Sequence, residues 1–104
     1  MQDDIRKLIA TINRRQLKNN TQKALFTLLT SKTEWVNRNS VRIPSAAARL
    51  RDLRKPQFGG FQVECASASM LKRRVADPKR TTYYRINPSS LTADRLAKAF
   101  KGVI

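Results

Sequence analysis

The chain has no histidine, a single cysteine, three glycines, and seven acidic residues against 22 lysines and arginines. Each scarcity removes a class of chemistry. Without histidine there is no histidine-containing zinc site and no imidazole to activate a nucleophile. A lone Cys65 cannot form an intrachain disulfide, and its place in Phe61-Gln62-Val63-Glu64-Cys65-Ala66 reads as a small apolar residue of a half-buried strand. With three glycines there is no Gly-rich phosphate loop, and Gly59-Gly60 reads as a turn. The seven carboxylates are scattered. Asp3-Asp4 suits a helix start better than a metal pair, so the sequence points away from an enzyme. No cofactor and no metal are implied.

Long apolar runs are missing too. Nothing approaches the roughly 18 apolar residues of a membrane span. The acids at positions 3 and 4 replace the basic start of a signal peptide. The expectation is a cytoplasmic protein, in the bacterial cytoplasm or nucleoid.

What is present is positive charge. The net is +15 with a pI near 11.4 on 104 residues, enough for one domain and one core. A domain this cationic repels itself, and a polyanion relieves that repulsion. The cations are concentrated. From Arg38 to Lys55 six stand against Asp52 alone, and from Lys72 to Arg85 six stand against Asp77 alone, so ten of the fifteen net charges fall in two segments.

The first segment contains Ile43-Pro44-Ser45-Ala46-Ala47-Ala48-Arg49-Leu50-Arg51-Asp52-Leu53-Arg54-Lys55. Pro44 stops what precedes it, and Ser45 is placed to cap a helix running to Lys55. Ala46, Leu50 and Leu53 make a narrow buried stripe. At about 100° per residue Ala48, Arg51, Asp52 and Lys55 point away from it, with Arg49 and Arg54 on the flanks. Such a small, basic helix fits a major groove, and it equally fits a solvated surface. On the first reading Ser45 and its neighbouring amides meet a phosphate, Ala48 a thymine methyl and Arg51 a guanine. Asp52 then orients Arg49 or Arg51.

Around this element the periodicity predicts a helix over 2–15 on Ile5, Leu8, Ile9 and Ile12. Asp3 and Asp4 lie at its start, and Arg14 and Arg15 suit its C-terminal dipole. A second helix, capped by Thr21, runs to about Thr30 and buries Leu25, Leu28 and Leu29. A short third helix over 34–39, opened by Thr33-Glu34, turns Trp35 and Val36 inward, although Val41-Arg42-Ile43 alternates like a strand. Beyond Pro56 the period changes to two. A strand places Phe61, Val63 and Cys65 inside, and a basic loop carries Lys72, Arg73, Arg74, Lys79 and Arg80. The strand Thr81–Ile86 returns, and a last helix over 92–101 offers Leu96, Phe100 and Val103.

Helix, helix, short helix, helix, strand, basic loop, strand, helix is a winged helix-turn-helix order. The pair Thr21-Gln22, the run Ala47-Ala48-Arg49-Leu50-Arg51-Asp52-Leu53-Arg54 and the closing Tyr84-Arg85-Ile86 resemble the small helix-turn-helix proteins of bacteriophages and prophages. The resemblance covers roughly residues 20 to 87. Pro56-Gln57-Phe58 stands where that group has glycine directly, the 31–43 stretch is longer, and the terminal helices have no counterpart. It implies a single winged helix domain over 1–104, mainly α with a small β-hairpin, binding double-stranded DNA as a transcriptional regulator or architectural factor. The recognition-helix residues are then Ser45, Ala48, Arg49, Arg51, Arg54 and Lys55, and the wing residues are Lys72, Arg73, Arg74, Lys79 and Arg80. RNA binding by a ribosome-associated protein, or inhibition of a host nucleic-acid machine by a phage protein, are the other readings the charge permits. The terminal stripes either pack on the core or pair two copies into a homodimer.

Overall fold

The computed structural model describes residues 2–104. These residues form four α-helices and a three-stranded antiparallel sheet in the order β1-β3-β2. In chain order these are α1 (Asp3–Ala10), α2 (Asn20–Thr30), β1 (Val36–Asn37), α3 (Ala46–Asp52), β2 (Val63–Ser67), β3 (Thr82–Ile86) and α4 (Ala93–Ala99). None of the helices is long and apolar enough to cross a membrane.

The first helix is shorter than its periodicity suggests. After Ala10 the Thr11 hydroxyl and amide both donate to Leu8 O, and Asn13 opens a separate 3-10 turn over Arg14–Gln16. Asn13 accepts from the Arg15 amide at 3.0 Å while Gln16 accepts from the Asn13 amide at 3.3 Å, a reciprocal cap that ends one helix by starting another turn. Arg14 and Arg15 therefore do not lie in the last turn of α1. The cap of α2 is Asn19, whose Oδ1 accepts from the Gln22 amide at 2.9 Å, and not Thr21, which lies inside the helix and is buried.

The expected helix over 34–39 is absent. Val36 and Asn37 pair with Tyr84 and Tyr83 as β1, and Arg38–Ser40 forms a 3-10 turn started by Asn37. The sheet thus has a third strand where a bare hairpin was expected. Thr33 does not cap a helix; its hydroxyl donates to Trp35 O at 3.0 Å, which holds the chain extended into β1. Trp35 is half-buried rather than turned fully inward, and Val36 is buried.

β2 and β3 pair in continuous register from Val63↔Ile86 to Ser67↔Thr82. Burial along β2 does not alternate strictly. Val63 is buried and Cys65, on the same face of the strand, is exposed, while Ala66 is buried on the other face beside its cross-strand partner Tyr83. The core is one cluster to which every helix contributes: Ile5, Ile9, Ala24, Leu25, Leu50, Leu96 and Ala99 join Ile12, Leu53, Phe61, Val63, Tyr84 and Phe100.

One buried polar side chain ties the chain ends together. Gln22 is 3% exposed; its Oε1 accepts from the Lys18 amide at 2.6 Å and its Nε2 donates to Ala99 O and Lys101 O at 3.2 and 3.1 Å. Gln22→Leu keeps the volume and strands one amide and two carbonyls. Urea denaturation is expected to show a loss of about 2–3 kcal/mol, since unpaired buried groups cost roughly 1–3 kcal/mol each and the carbonyls near the C-terminus regain some water. A loss below about 0.5 kcal/mol would show that this network contributes nothing net.

Candidate nucleic-acid interface

α3 packs against α2 and seats Leu50, with Leu53 just beyond its end, both at 0% exposure. The opposite side carries the polar residues, as the helical period requires. The helix is shorter than the 45–55 span expected for it. The Arg54 and Lys55 amides donate to Arg51 O and Asp52 O, tightening the last turn, and Pro56 holds Lys55 extended at ψ 140. Ser45 does not cap it. Ser45 stands in the left-handed region at φ 53, its side chain makes no capping bond, and its carbonyl accepts from the Arg49 amide. The seven-residue helix thus starts without the side-chain cap expected from Ser45. Ala46 is half-buried and Ala48 likewise, so Ala48 keeps a partly open methyl.

The charged residues of this region divide by what they touch. Asp52 is 14% exposed and lies 3.1 Å from Arg49 Nε and 3.1 Å from Lys55 Nζ. The acid expected to orient Arg49 or Arg51 thus engages Arg49 and adds Lys55. Arg49 Nε sits at ion-pair distance without hydrogen-bond alignment, so that contact is electrostatic. Arg54 turns the other way: its Nε and Nη2 donate to Val63 O at 2.9 and 2.7 Å, pinning the end of the α3 segment to the start of β2. Arg54 thus ties two elements while the residue itself stays exposed. Arg51 remains. It is exposed and takes part in none of the ion pairs among the described residues.

The connection from α3 to β2 is equally fixed. The Phe61 amide donates to Leu53 O at 2.8 Å and the Gly60 amide to Lys55 O at 3.0 Å. Gly59 stands at φ 111, and a Cβ there would run into the Phe61 ring, so this turn requires glycine.

The loop between β2 and β3 is folded. The ladder continues beyond the strands, with the Ala68 amide on Thr81 O at 2.9 Å and the Ser69 amide on Pro78 O at 3.0 Å. The Arg73 amide returns to Ala68 O at 2.8 Å, closing a tight turn in which Lys72 takes φ 55. Lys72, Arg74 and Lys79 are exposed there and stand outside the ion pairs. Arg80 lies 3.7 Å from Asp77, an exposed contact worth little in water. Arg73 lies over the Tyr83 ring, 5.0 Å from its centroid, at the base of the loop. There it lines one cavity together with Ser40, so the base of the loop adjoins the turn that leads toward α3.

Arg85, counted among the loop cations by sequence, belongs to the sheet. It bonds Glu34 and Glu64, with Glu64 Oε1 at 3.0 Å from both Nε and Nη2, and stacks 5.1 Å from the Trp35 ring. Sequence reasoning missed this cluster. Its signal was the cross-strand position of Glu64 opposite Arg85, visible once the hairpin register is fixed. Among the described residues no three carboxylates or thiols gather to hold a metal ion. No family model matches the chain, and neither the curated proteins nor the solved structures contain a match to it.

Proposed function

We propose that the chain is a winged helix-turn-helix protein that binds double-stranded DNA, with α3 in the major groove and the β2–β3 loop as a wing along the adjacent backbone. The order α2, β1, turn, α3, β2, loop, β3 and the strand order β1-β3-β2 support this reading. In it the 3-10 turn Arg38–Ser40 stands in place of the middle helix of the motif. The observation that carries the proposal is the concentration of cations, six against Asp52 alone between Arg38 and Lys55 and six against Asp77 alone between Lys72 and Arg85. Within these segments Arg51 on α3 and Lys72, Arg74 and Lys79 on the loop are exposed and outside the ion pairs of the described residues. Exposed cations on a helix and on a loop suit a polyanion with a groove. The role is that of a phage or mobile-element transcriptional regulator or architectural factor.

Gel shifts with duplex genomic fragments, random duplex and RNA of matching sequence test it. Tight duplex binding with at least one preferred fragment is expected; preference for RNA would favour the ribosome-associated reading, and binding to neither would favour the inhibitor.

Within this reading Arg51 reads sequence. Arg51→Ala removes one forked donor and is expected to cost about 1–3 kcal/mol on the preferred site, with relaxed preference at one base position. Binding to random DNA falls much less, and folding is unchanged because Leu50 and Leu53 keep the buried face. Equal losses on both DNAs would show that Arg51 only neutralises phosphate.

A further inference from the structure

A groove of about 380 Å³ opens between the end of α2, β1 and the base of the β2–β3 loop. Duplex binding by α3 and the loop leaves it unused. Its wall includes Trp35, the one tryptophan of the chain, and Tyr83 beneath the Arg73 guanidinium. The rim is polar in a particular way. Thr27, Thr30 and Thr33 send their hydroxyl protons to Lys23 O, Phe26 O and Trp35 O, which leaves the Thr27 and Thr30 oxygens to accept, while the Thr33 oxygen also lies 3.0 Å from Ser31 Oγ. Asn37 Oδ1 is occupied by the Asn39 amide, so the Nδ2 end of that amide remains to donate.

We propose that this groove takes an unpaired nucleobase, flanked by a phosphate at Arg73, so that the protein prefers duplex DNA carrying a short single-stranded end. The occupant follows from the chemistry. A nucleobase offers a flat apolar face for the side of the Trp35 ring that Arg85 does not cover, and an edge of mixed donors and acceptors for the threonine oxygens and Asn37. The phosphate next to it meets a guanidinium already held in place by its stack on Tyr83. An apolar peptide side chain would use the aromatic wall and leave the cation and the polar rim idle. The site lies at the base of the loop, where a strand leaving a duplex held by that loop would pass. In this respect the proposal rests on the duplex reading above.

Trp35 serves as the reporter. A fluorescein-labelled blunt duplex, the same duplex with a three-nucleotide overhang, and the overhang strand alone are titrated while anisotropy and tryptophan emission are followed. The overhang duplex is expected to bind about tenfold more tightly than the blunt one, the gain of stacking one base, and to quench Trp35. Thr30→Phe, an exposed position on the rim, fills the groove without touching Trp35's partner Arg85. It should abolish both the preference and the quenching and leave blunt-duplex affinity within about twofold. Equal affinities for the two duplexes with unchanged emission would overturn the groove assignment and leave duplex binding standing. Quenching by the single strand without duplex binding would keep the groove and overturn the duplex reading. Binding to none of the three would overturn both.

Discussion

Replacing Lys72, Arg73 and Arg74 together by alanine is expected to weaken binding to preferred and random DNA alike and to flatten log K against log salt by roughly 2 to 3. Each phosphate contact contributes about 0.9 to that slope through counterion release. All three cations are exposed on the loop and take part in none of the ion pairs among the described residues, and Arg73 alone is engaged, over the Tyr83 ring. Arg73 is the residue that decides between the lower and upper value, because its stack on Tyr83 holds it at the base of the loop rather than at the tip. The folded state should change by less than about 0.5 kcal/mol, since surface substitutions away from packed features have little effect. Salt-dependent anisotropy titrations on both DNAs make the measurement. If discrimination between sequences collapses while the slope is unchanged, the loop reads bases and the clamp assignment is wrong.

The basic loop was legible because charge and period both mark it: residues 72–80 lie between two β-branched or aromatic runs. The inner faces of α1, α2 and α3 were legible in part for the same kind of reason: Ile5, Ile9, Leu25, Leu50 and Leu53 are buried as their spacing requires, while Leu8, Leu28, Leu29 and Ala46, expected in the same stripes, are half-buried. What escaped has a common physical origin in partners far along the chain. Val36-Asn37 is too short to show a period, and only Tyr83 and Tyr84, close to fifty residues later, make it a strand. Thr33-Glu34 reads locally as a helix cap, and tertiary pairing overrides that local preference.

The same cause explains the polar residues that changed role. Arg54 looks like a free cation on the helix flank until Val63 O is brought beside it. Gln22 reads as an ordinary first-turn residue, and only the return of the C-terminal segment gives it Ala99 O and Lys101 O to bond. Simple alternation puts Cys65 inside with Val63, a rule that assumes one covered face, whereas here Ala66 and its partner Tyr83 are buried on the opposite face. Of the residues singled out by sequence around α3, Arg51 keeps the freedom its spacing suggests, Arg54 bonds Val63 O, and Ser45 makes no capping bond.

Phe100→Ala should be the most damaging single truncation. The ring is fully buried at the end of α4, in the same cluster as Leu25, Leu50 and Leu96. Removing a buried phenyl group costs about 3–5 kcal/mol through lost transfer energy and the cavity left behind. Against a typical stability of about 5–15 kcal/mol this is a large share, and the melting temperature should fall by more than roughly 10 °C. The size of that fall also tests how the terminal helices are used. Ile5, Ile9, Ile12, Leu96 and Phe100 are buried within one chain, so most of the apolar stripes are covered, with Leu8 and Val103 half-buried. DNA binding by the variant at low temperature should match that of the parent chain, because no residue of α3 or the β2–β3 loop is altered, and it should vanish on warming in step with the circular dichroism signal. A stability loss below about 1 kcal/mol would mean that α4 is a detachable extension. Its apolar edge would then again be free to meet a second copy.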